Sequence, residues 1–575
     1  MKKLKTLCMV LMAIVLSMSV VGCAGGSPAA RRRGSSNATE ITFLQHLGTL
    51  NPDDWLRPAI ARFTELKKDE VYEEGKTGVK ISVMNAKVDY GSMPDADIVI
   101  GENQVNIYDM QSKGWLMNLD SVVENVGVEK IEPAALERIK GSDGKYYGMP
   151  HFSYYTGLSY NIDLFEDNGL YFAAEGEDGY VYESGFGTAV MVSDTGVEKS
   201  LGPDGKPGTY DDGLPSSLQE FLILCDYIKK ETSINPFTIT GAGTQKYNYA
   251  FNVVNTIWAN LAGGKAMNNV YCNWSDEPVE VIKRNGNSPV YKTEELFYTG
   301  SGIKDVETEM VVLNEENGYR IYDMAARYYA LAFLNTCLSE DWFCKTDFDG
   351  GSNFAAQRHM FFGEKNDTAR DNSAILVDAS YWYGEARQQG TIAEHQSRFN
   401  KIPNTSVMPM PVKLTGSVTS AEEGRKPVQI DIGSSQLFAT KNAESSEGKA
   451  RAVKEFIEFL YSDAELALFT ENTGLDIPMN YDYDRNKLNA LGSFYANLQE
   501  QLGAADVIRT SSASTRFKNA LGTFSLSWGG RLMALRIDEM DFSAGPLYAF
   551  TQRKTTAQVF ENSLYTKAEW DAMVH

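Results

Sequence analysis

One stretch constrains the fold more than any other: Gly144-Lys-Tyr-Tyr-Gly-Met-Pro-His-Phe-Ser-Tyr-Tyr-Thr-Gly-Leu-Ser-Tyr-Asn-Ile-Asp-Leu-Phe-Glu-Asp-Asn-Gly-Leu170. Gly144, Gly148 and Pro150 punctuate its front, so the chain bends before Pro150. Phe152, Tyr154 and Tyr155 place three aromatic rings directly after the bend. Residues 156–161 then read as a strand, and 163–168 as a short helix closed by Gly169. Strand, turn and helix in that order point to an α/β architecture. At 575 residues the chain is too long for one core, so two or more lobes are expected.

The flanking sequence repeats this alternation. Residues 40–46 alternate toward a strand, Asn51-Pro52 opens a helix, and Leu56, Ile60 and Phe63 continue it at spacings of four and three. Residues 79–84 form a second strand and 94–100 a third, ending at Gly101-Glu102-Asn103. The β–α–β–α order predicts a mostly parallel sheet. Further on, Ser217 caps a helix marked by Leu218, Phe221, Leu222, Cys225 and Ile228. Residues 249–264 read as a helix stopped by Gly263-Gly264. Residues 374–377 form an apolar strand running into Asp378-Ala-Ser-Tyr381-Trp382-Tyr383. Residues 428–440 look like a return crossing between lobes, and Val453, Phe456, Ile457 and Leu460 stripe a helix. Residues 171–215 and 271–306 read as surface insertions, the second polar and irregular.

The run at 144–170 resembles the crossover of bacterial extracellular solute-binding proteins of family 1, the receptors of ABC importers that include maltose- and oligosaccharide-binding members. The matching positions are Gly144, Lys145, Tyr147, Gly148, Pro150, Gly157, Leu158, Tyr160, Asn161, Asp163, Leu164, Phe165, Gly169 and Leu170. Ala452-Val453 with Phe456, Phe459-Leu460 and Ser462 is similar to that family's helix near the second crossing, and Gly474 with Pro478 to the turn after it. The resemblance covers roughly 40–480. It implies a two-lobed, periplasmic-binding-protein-like α/β fold of class II, with a ligand cleft between lobes joined by crossover strands. The lobes would be 40–150 with 435–475, and 151–434 with 476–575. It also implies a monomer that hands its solute to ABC transporter permease subunits.

The N-terminus reads as a processing segment. Lys2, Lys3 and Lys5 precede an apolar run over 7–21, too short for a confident membrane span. The run ends in Val20-Val21-Gly22-Cys23, which looks like a bacterial lipobox, with the Cys23 thiol as the lipidation site. Residues 24–40 read as a flexible tether. The expected location is therefore the outer face of the cytoplasmic membrane, held by a lipid anchor. A net charge of −22 argues against nucleic-acid binding. Of the six cysteines, Cys225, Cys272, Cys337 and Cys344 remain beyond the leader and lipid site. They show no C-x-x-C spacing and read as buried small residues, with a disulfide possible outside the cell.

Catalytic signatures are missing: there is no H-E-x-x-H, G-x-S-x-G or G-x-x-x-x-G-K-[ST]. The five histidines do not share metal-ligand spacing. Asp204, Asp211 and Asp212 stand beside glycines and fit either a solvated turn, the simpler reading, or a Ca²⁺ loop that is not an EF-hand. No other cofactor is expected. In open α/β sheets ligands sit outside the carboxyl ends of strands. Gln45 and His46 end the first strand and Glu102 and Asn103 the third. Phe152, Tyr154 and Tyr155 lie on the crossover, Trp258 on a helix, and Tyr381, Trp382 and Tyr383 after the 374–377 strand. Rings stack on sugar C–H faces while polar groups bind hydroxyls, so these residues suggest a carbohydrate ligand, with two alternatives open. Those are a receptor for peptide or another solute, and a secreted polysaccharide-active enzyme using a pair such as Glu102 and Asp378.

Overall fold

The computed structural model describes residues 37–574 except 46–49, 87, 89, 102–104, 194–195, 242–244, 271–273, 298–300, 349–353, 365–371, 417–421, 432–434 and 510–544. The leader, Cys23 and the tether up to residue 36 therefore lie outside the described residues, as does Cys272, while Thr39 and Glu40, read as tether, already belong to the first strand. In chain order, the elements that position the site begin with β1 (Thr39–Gln45), α1 (Leu56–Leu66), β2 (Val79–Asn85), β3 (Ile98–Gly101), α2 (Pro133–Arg138) and β4 (Met149–Pro150). There follow β5 (Leu158–Asn161), β6 (Tyr180–Ser184), β7 (Gly187–Met191), α3 (Leu218–Glu231), β8 (Asn235–Ile239) and α4 (Phe251–Ala262). Next come β9 (Pro278–Ile282), β10 (Thr308–Val312), α5 (Ala325–Ser339), β11 (Ser373–Val377), α6 (Trp382–Gln388) and β12 (Thr405–Val407). The last are β13 (Val428–Asp431), β14 (Gln436–Ala439), α7 (Glu447–Leu460), α8 (Asp463–Thr473), α9 (Ser493–Ala504) and β15 (Asp506–Arg509).

Two separate sheets organise the chain. The first has the order β2-β1-β3-β14-β4. Its β1 pairs in parallel with β2 and β3, while β14 runs antiparallel to β3 and β4. Ile41 and Phe43 alternate inward along β1 and are fully buried under α7, where Phe456 meets both Phe43 and Phe63. Residues 436–473 thus return to complete the sheet begun by 39–150. The second sheet has the order β12-β5-β11-β8, with β11 parallel to β8 and antiparallel to β5. Helices α4 and α5 pack beside it and are buried on nearly every side, together with polar residues such as Asn252, Asn260 and Arg327. The architecture is a mixed α/β fold of two lobes joined by crossover segments.

Three segments cross between the sheets side by side. The first leaves β4 at Pro150 and enters β5 at Leu158. It is flanked by the second, which joins β13 to β14, through His151 N–H to Ser435 O and Thr156 N–H to Ile430 O, both 2.9 Å. On its other side Ser153 N–H donates to Asp476 O of the third, 2.9 Å away. The pairing directions decide which edges face the crossings. Pro150 ends β4 beside Gln436, at the same edge as the carboxyl ends of β1 and β3. Leu158 begins β5 opposite Val377, the carboxyl end of β11, which is level with Ile239 of β8. The carboxyl edges of both sheets therefore look onto the same three crossings.

Both insertions contain regular strands. β6 and β7 form a hairpin seated on α3, with Tyr182 OH donating to Asp226 Oδ2 at 2.8 Å. β9 pairs antiparallel with β10. There Val279 and Val281 are buried and Glu280 is exposed, a period-2 pattern hidden among many charges. Cys225, Cys337 and Cys344 are buried and form no disulfide among the described residues, and Cys344 Sγ lies 2.8 Å from Ser373 Oγ. Among the described residues no helix is long and apolar enough to cross a membrane.

Candidate functional site

The facing carboxyl edges are built from short strands that stop where their apolar runs stop. On the first lobe, Gln45 ends β1, and its Nε2 donates to Leu50 O at 2.5 Å while its Oε1 has no partner. Ser435 and Gln436 open β14 on the same edge, both buried, with Ser435 Oγ and Gln436 Oε1 also unpartnered. On the second lobe, Thr240 and Asp378 each follow the last residue of adjacent parallel strands, β8 and β11. Asp378 Oδ1 accepts from Ala379 N–H at 2.8 Å, and Oδ2 has no hydrogen bond. The Thr240 hydroxyl lies beside this carboxyl and favours its charged form, without reaching good hydrogen-bond geometry. Burial dominates and pushes the Asp378 pKa up to about 7, against the pull of Arg358 and with the repulsion of Glu385. Arg358 itself is held by Glu385 at 2.7 Å.

A row of rings runs between these edges. Phe152 and Tyr154 on the first crossing have centroids 5.6 Å apart, and Tyr154 meets Tyr381 edge-on at 5.2 Å. The phenols of Tyr381 and Tyr249 hydrogen-bond to each other. Beneath them the backbone is locked by a reciprocal pair: Tyr155 N–H donates to Ser380 Oγ at 2.9 Å, and Ser380 N–H donates to Tyr155 O at 3.0 Å. The crossover and the loop after β11 are thus one surface. His151 sits at the start of that crossover between Trp55 and Phe469, at 5.1 and 5.0 Å, and burial pulls its pKa down to about 3. Its unpartnered Nδ1 and the Trp55 Nε1 border a cavity of about 10 Å³, the size of one water.

Several expected site residues belong elsewhere. Trp382 and Tyr383 are core residues, because 382–388 is a helix and not a strand end. The Trp382 indole is surrounded by Phe361, Phe362 and Phe494 and donates to Ser159 Oγ at 2.8 Å. Tyr383 stacks on Phe494 at 4.8 Å and 6°, and its OH donates to Leu491 O. Trp258 packs inside α4 against Met324, with Arg327 over its ring. Tyr155 turns its OH to Asp476 Oδ2, 2.9 Å away, and so belongs to the crossings. Phe152 is fully buried and supports Tyr154 from behind.

The turn that carries Asp204, Asp211 and Asp212 closes on its own backbone. Asp211 Oδ2 accepts Asp204 N–H and Asp212 Oδ2 accepts Gly208 N–H, at 2.8 and 2.7 Å, so the turn's own backbone takes these oxygens. Asp204, Asp211 and Asp212 all face the Thr209 hydroxyl, which donates to Asp211 Oδ1 at 2.6 Å, and among the described residues no three His, Cys, Asp or Glu side chains are arranged to hold a metal ion. His46, Glu102 and Asn103 lie outside the described residues. Sequence reasoning missed Thr240, Ser435, Gln436 and Tyr249. Asp378 was visible as the polar stop of a four-residue apolar run, the same signal that marked Gln45.

No family model matches the sequence, and neither does any curated protein sequence. Solved structures align along most of the chain. A binding protein of an ABC transporter from Bifidobacterium animalis subsp. lactis, in complex with mannobiose, is 14% identical over 94% of this chain and 96% of its own, with a TM-score of 0.49. A probable secreted solute-binding lipoprotein from Streptomyces coelicolor is 13% identical over 94% and 99%, with a TM-score of 0.49. The maltose-bound MalE3 of T. maritima is 14% identical over 93% and 100%, with a TM-score of 0.46. All three are described as binding proteins or by the sugar they hold.

Proposed function

We propose that the protein is an extracellular receptor that captures a carbohydrate, most simply an oligosaccharide, between its lobes and delivers it to an ABC importer. One observation carries this reading: buried polar atoms without partners stand on both carboxyl edges, Gln45, Ser435 and Gln436 on one and Thr240 and Asp378 on the other. A buried polar group left unpaired costs about 1–3 kcal/mol, so five on facing edges are a surface awaiting a ligand's hydrogen bonds. Four of the five are neutral amide or hydroxyl groups, and Asp378 is half protonated near neutrality. Such a set suits a neutral polyol better than the charged ends of a peptide. Tyr154 and Tyr381 supply rings of the kind that pack on sugar C–H faces.

Binding to both edges at once is possible only when the lobes approach, so the ligand stabilises the closed arrangement. The leader motif ending at Cys23 supports a diacylglycerol anchor at the outer face of the cytoplasmic membrane. The importer partner and the anchor follow from the motif resemblances alone. A thermal-shift screen of the purified protein tests the reading. Neutral oligosaccharides are expected to raise the melting temperature and to be recovered unchanged. A shift with peptides alone would make this a peptide receptor, and turnover of the sugar would make it an enzyme.

A further inference from the structure

The crossings hold a buried ionic network that the ligand site does not use. Its hub is Arg509, the last residue of β15. The Arg509 Nε and Nη2 grip both Glu132 carboxylate oxygens, at 2.5 and 3.0 Å. Nη1 donates to Ser153 Oγ at 3.0 Å and Asp431 Oδ2 at 2.9 Å, and Nη2 stands 3.9 Å from Asp476 Oδ2. One side chain thereby touches the first crossing through Ser153, the second through Asp431 and the third through Asp476. Asp431 Oδ2 also accepts from Ser153 Oγ at 3.0 Å and Arg138 Nη1 at 3.3 Å. Asp476, pushed up to about 6 by burial, is steadied by Arg509 and Tyr155.

The two ends of this hub belong to different lobes. β15 pairs with β13, which packs against α4, on the second lobe. Glu132 precedes α2 and follows the first lobe's path, with its N–H donated to Pro478 O. Arg509 is 3% exposed and anchored by Asp431, whereas the Glu132 side chain is 45% exposed and has water at hand. If the lobes rotate about the crossings, the two-pronged Arg509–Glu132 contact must stretch, as must the longer Arg138–Asp431 contact at 3.3 Å. The glutamate end of the Arg509 contact gives way first, since Glu132 is the most exposed carboxylate of the network, at 45% against 21% for Asp476.

We propose that Arg509 and Glu132 form a latch across the crossings, holding the lobes at the angle seen here and opening when they rotate. The inference rests on the two-lobed receptor reading only in supposing that the lobes move, and its test needs no ligand.

Hydrogen exchange on the full protein reads the latch directly. Glu132→Gln is expected to speed exchange about five- to thirtyfold at the crossing amides of His151, Ser153, Thr156 and Ser435. Exchange within β1 and α3 should stay unchanged. Arg509→Lys keeps the charge but loses the two-pronged grip, and should show the same pattern. Unchanged crossing amides in a folded Glu132→Gln protein would overturn the latch. So would a uniform rise across both sheets, which would mean a general stabilising pair. Failure of the receptor reading would instead appear in the sugar screen, with the exchange pattern intact.

Discussion

Asp378 combines the ligand contact proposed above with a stability penalty, and pH separates the two. Its carboxyl titrates near 7 in the folded protein and near its ordinary 3.8 when unfolded. Between those values the folded state keeps a proton that the unfolded chain has lost. Stability from this group is therefore full below about 3.8 and is lost as pH rises through about 7. Asp347, also near 7, and Asp476, near 6, act in the same direction. His151 opposes them, because its pKa near 3 makes folding favour the neutral ring and loses stability as pH falls. Asp378→Asn is expected to raise stability at pH 8 by on the order of 1–2 kcal/mol and to narrow the gap between pH 5 and pH 8. The same change should weaken ligand binding about tenfold or more. Melts at the two pH values, with a titration of the ligand found by screening, check both halves.

At the scale of elements, α6 shows what sequence pattern can and cannot convey. Three consecutive rings after an apolar strand suggest alternate faces at a period of two. The helix starting at Trp382 instead turns each residue about 100° from the last. Tyr381 stays at the edge beside Tyr154, while Trp382 and Tyr383 swing into the aromatic cluster around Phe494. The polar stops of apolar runs at Gln45 and Asp378 were legible, since strand ends follow from composition. The choice between strand end and helix start was not, because it depends on Phe494 and Ser159, far away in sequence. Trp382→Ala should accordingly cost about 3–5 kcal/mol of stability, as for a large core side chain. Tyr381→Ala should cost less and lower ligand affinity more. Urea melts paired with ligand titrations distinguish them: a Trp382→Ala protein of unchanged stability would return that ring to the site.

Across the whole molecule, local motifs revealed the crossings but not what ties them. The glycine–proline bend and the strand after it lie within one 27-residue run, so 144–170 could be read directly. Arg509 meets Glu132 across 377 positions, and no local pattern announces such a pair. The same long reach governs how the first lobe is assembled. β14 lies between β3 and β4, and α7 covers the face bearing Phe43. A chain ending near residue 430 has the first three strands but lacks the one that joins them to β4. Its sheet would expose Val99 and Ile100 along an open edge, with no helix over Phe43. Such a fragment is expected to lose protection of the β1 and β3 amides by about a thousandfold or more relative to the full chain. Adding residues through 473 in trans should restore it, because β14, α7 and α8 then supply the missing strand and cover. Hydrogen exchange on the fragment, alone and with the supplement, measures this. Full protection in the fragment alone would mean that the first lobe folds without its returning strand, and that the two lobes are bound together less tightly than their topology requires.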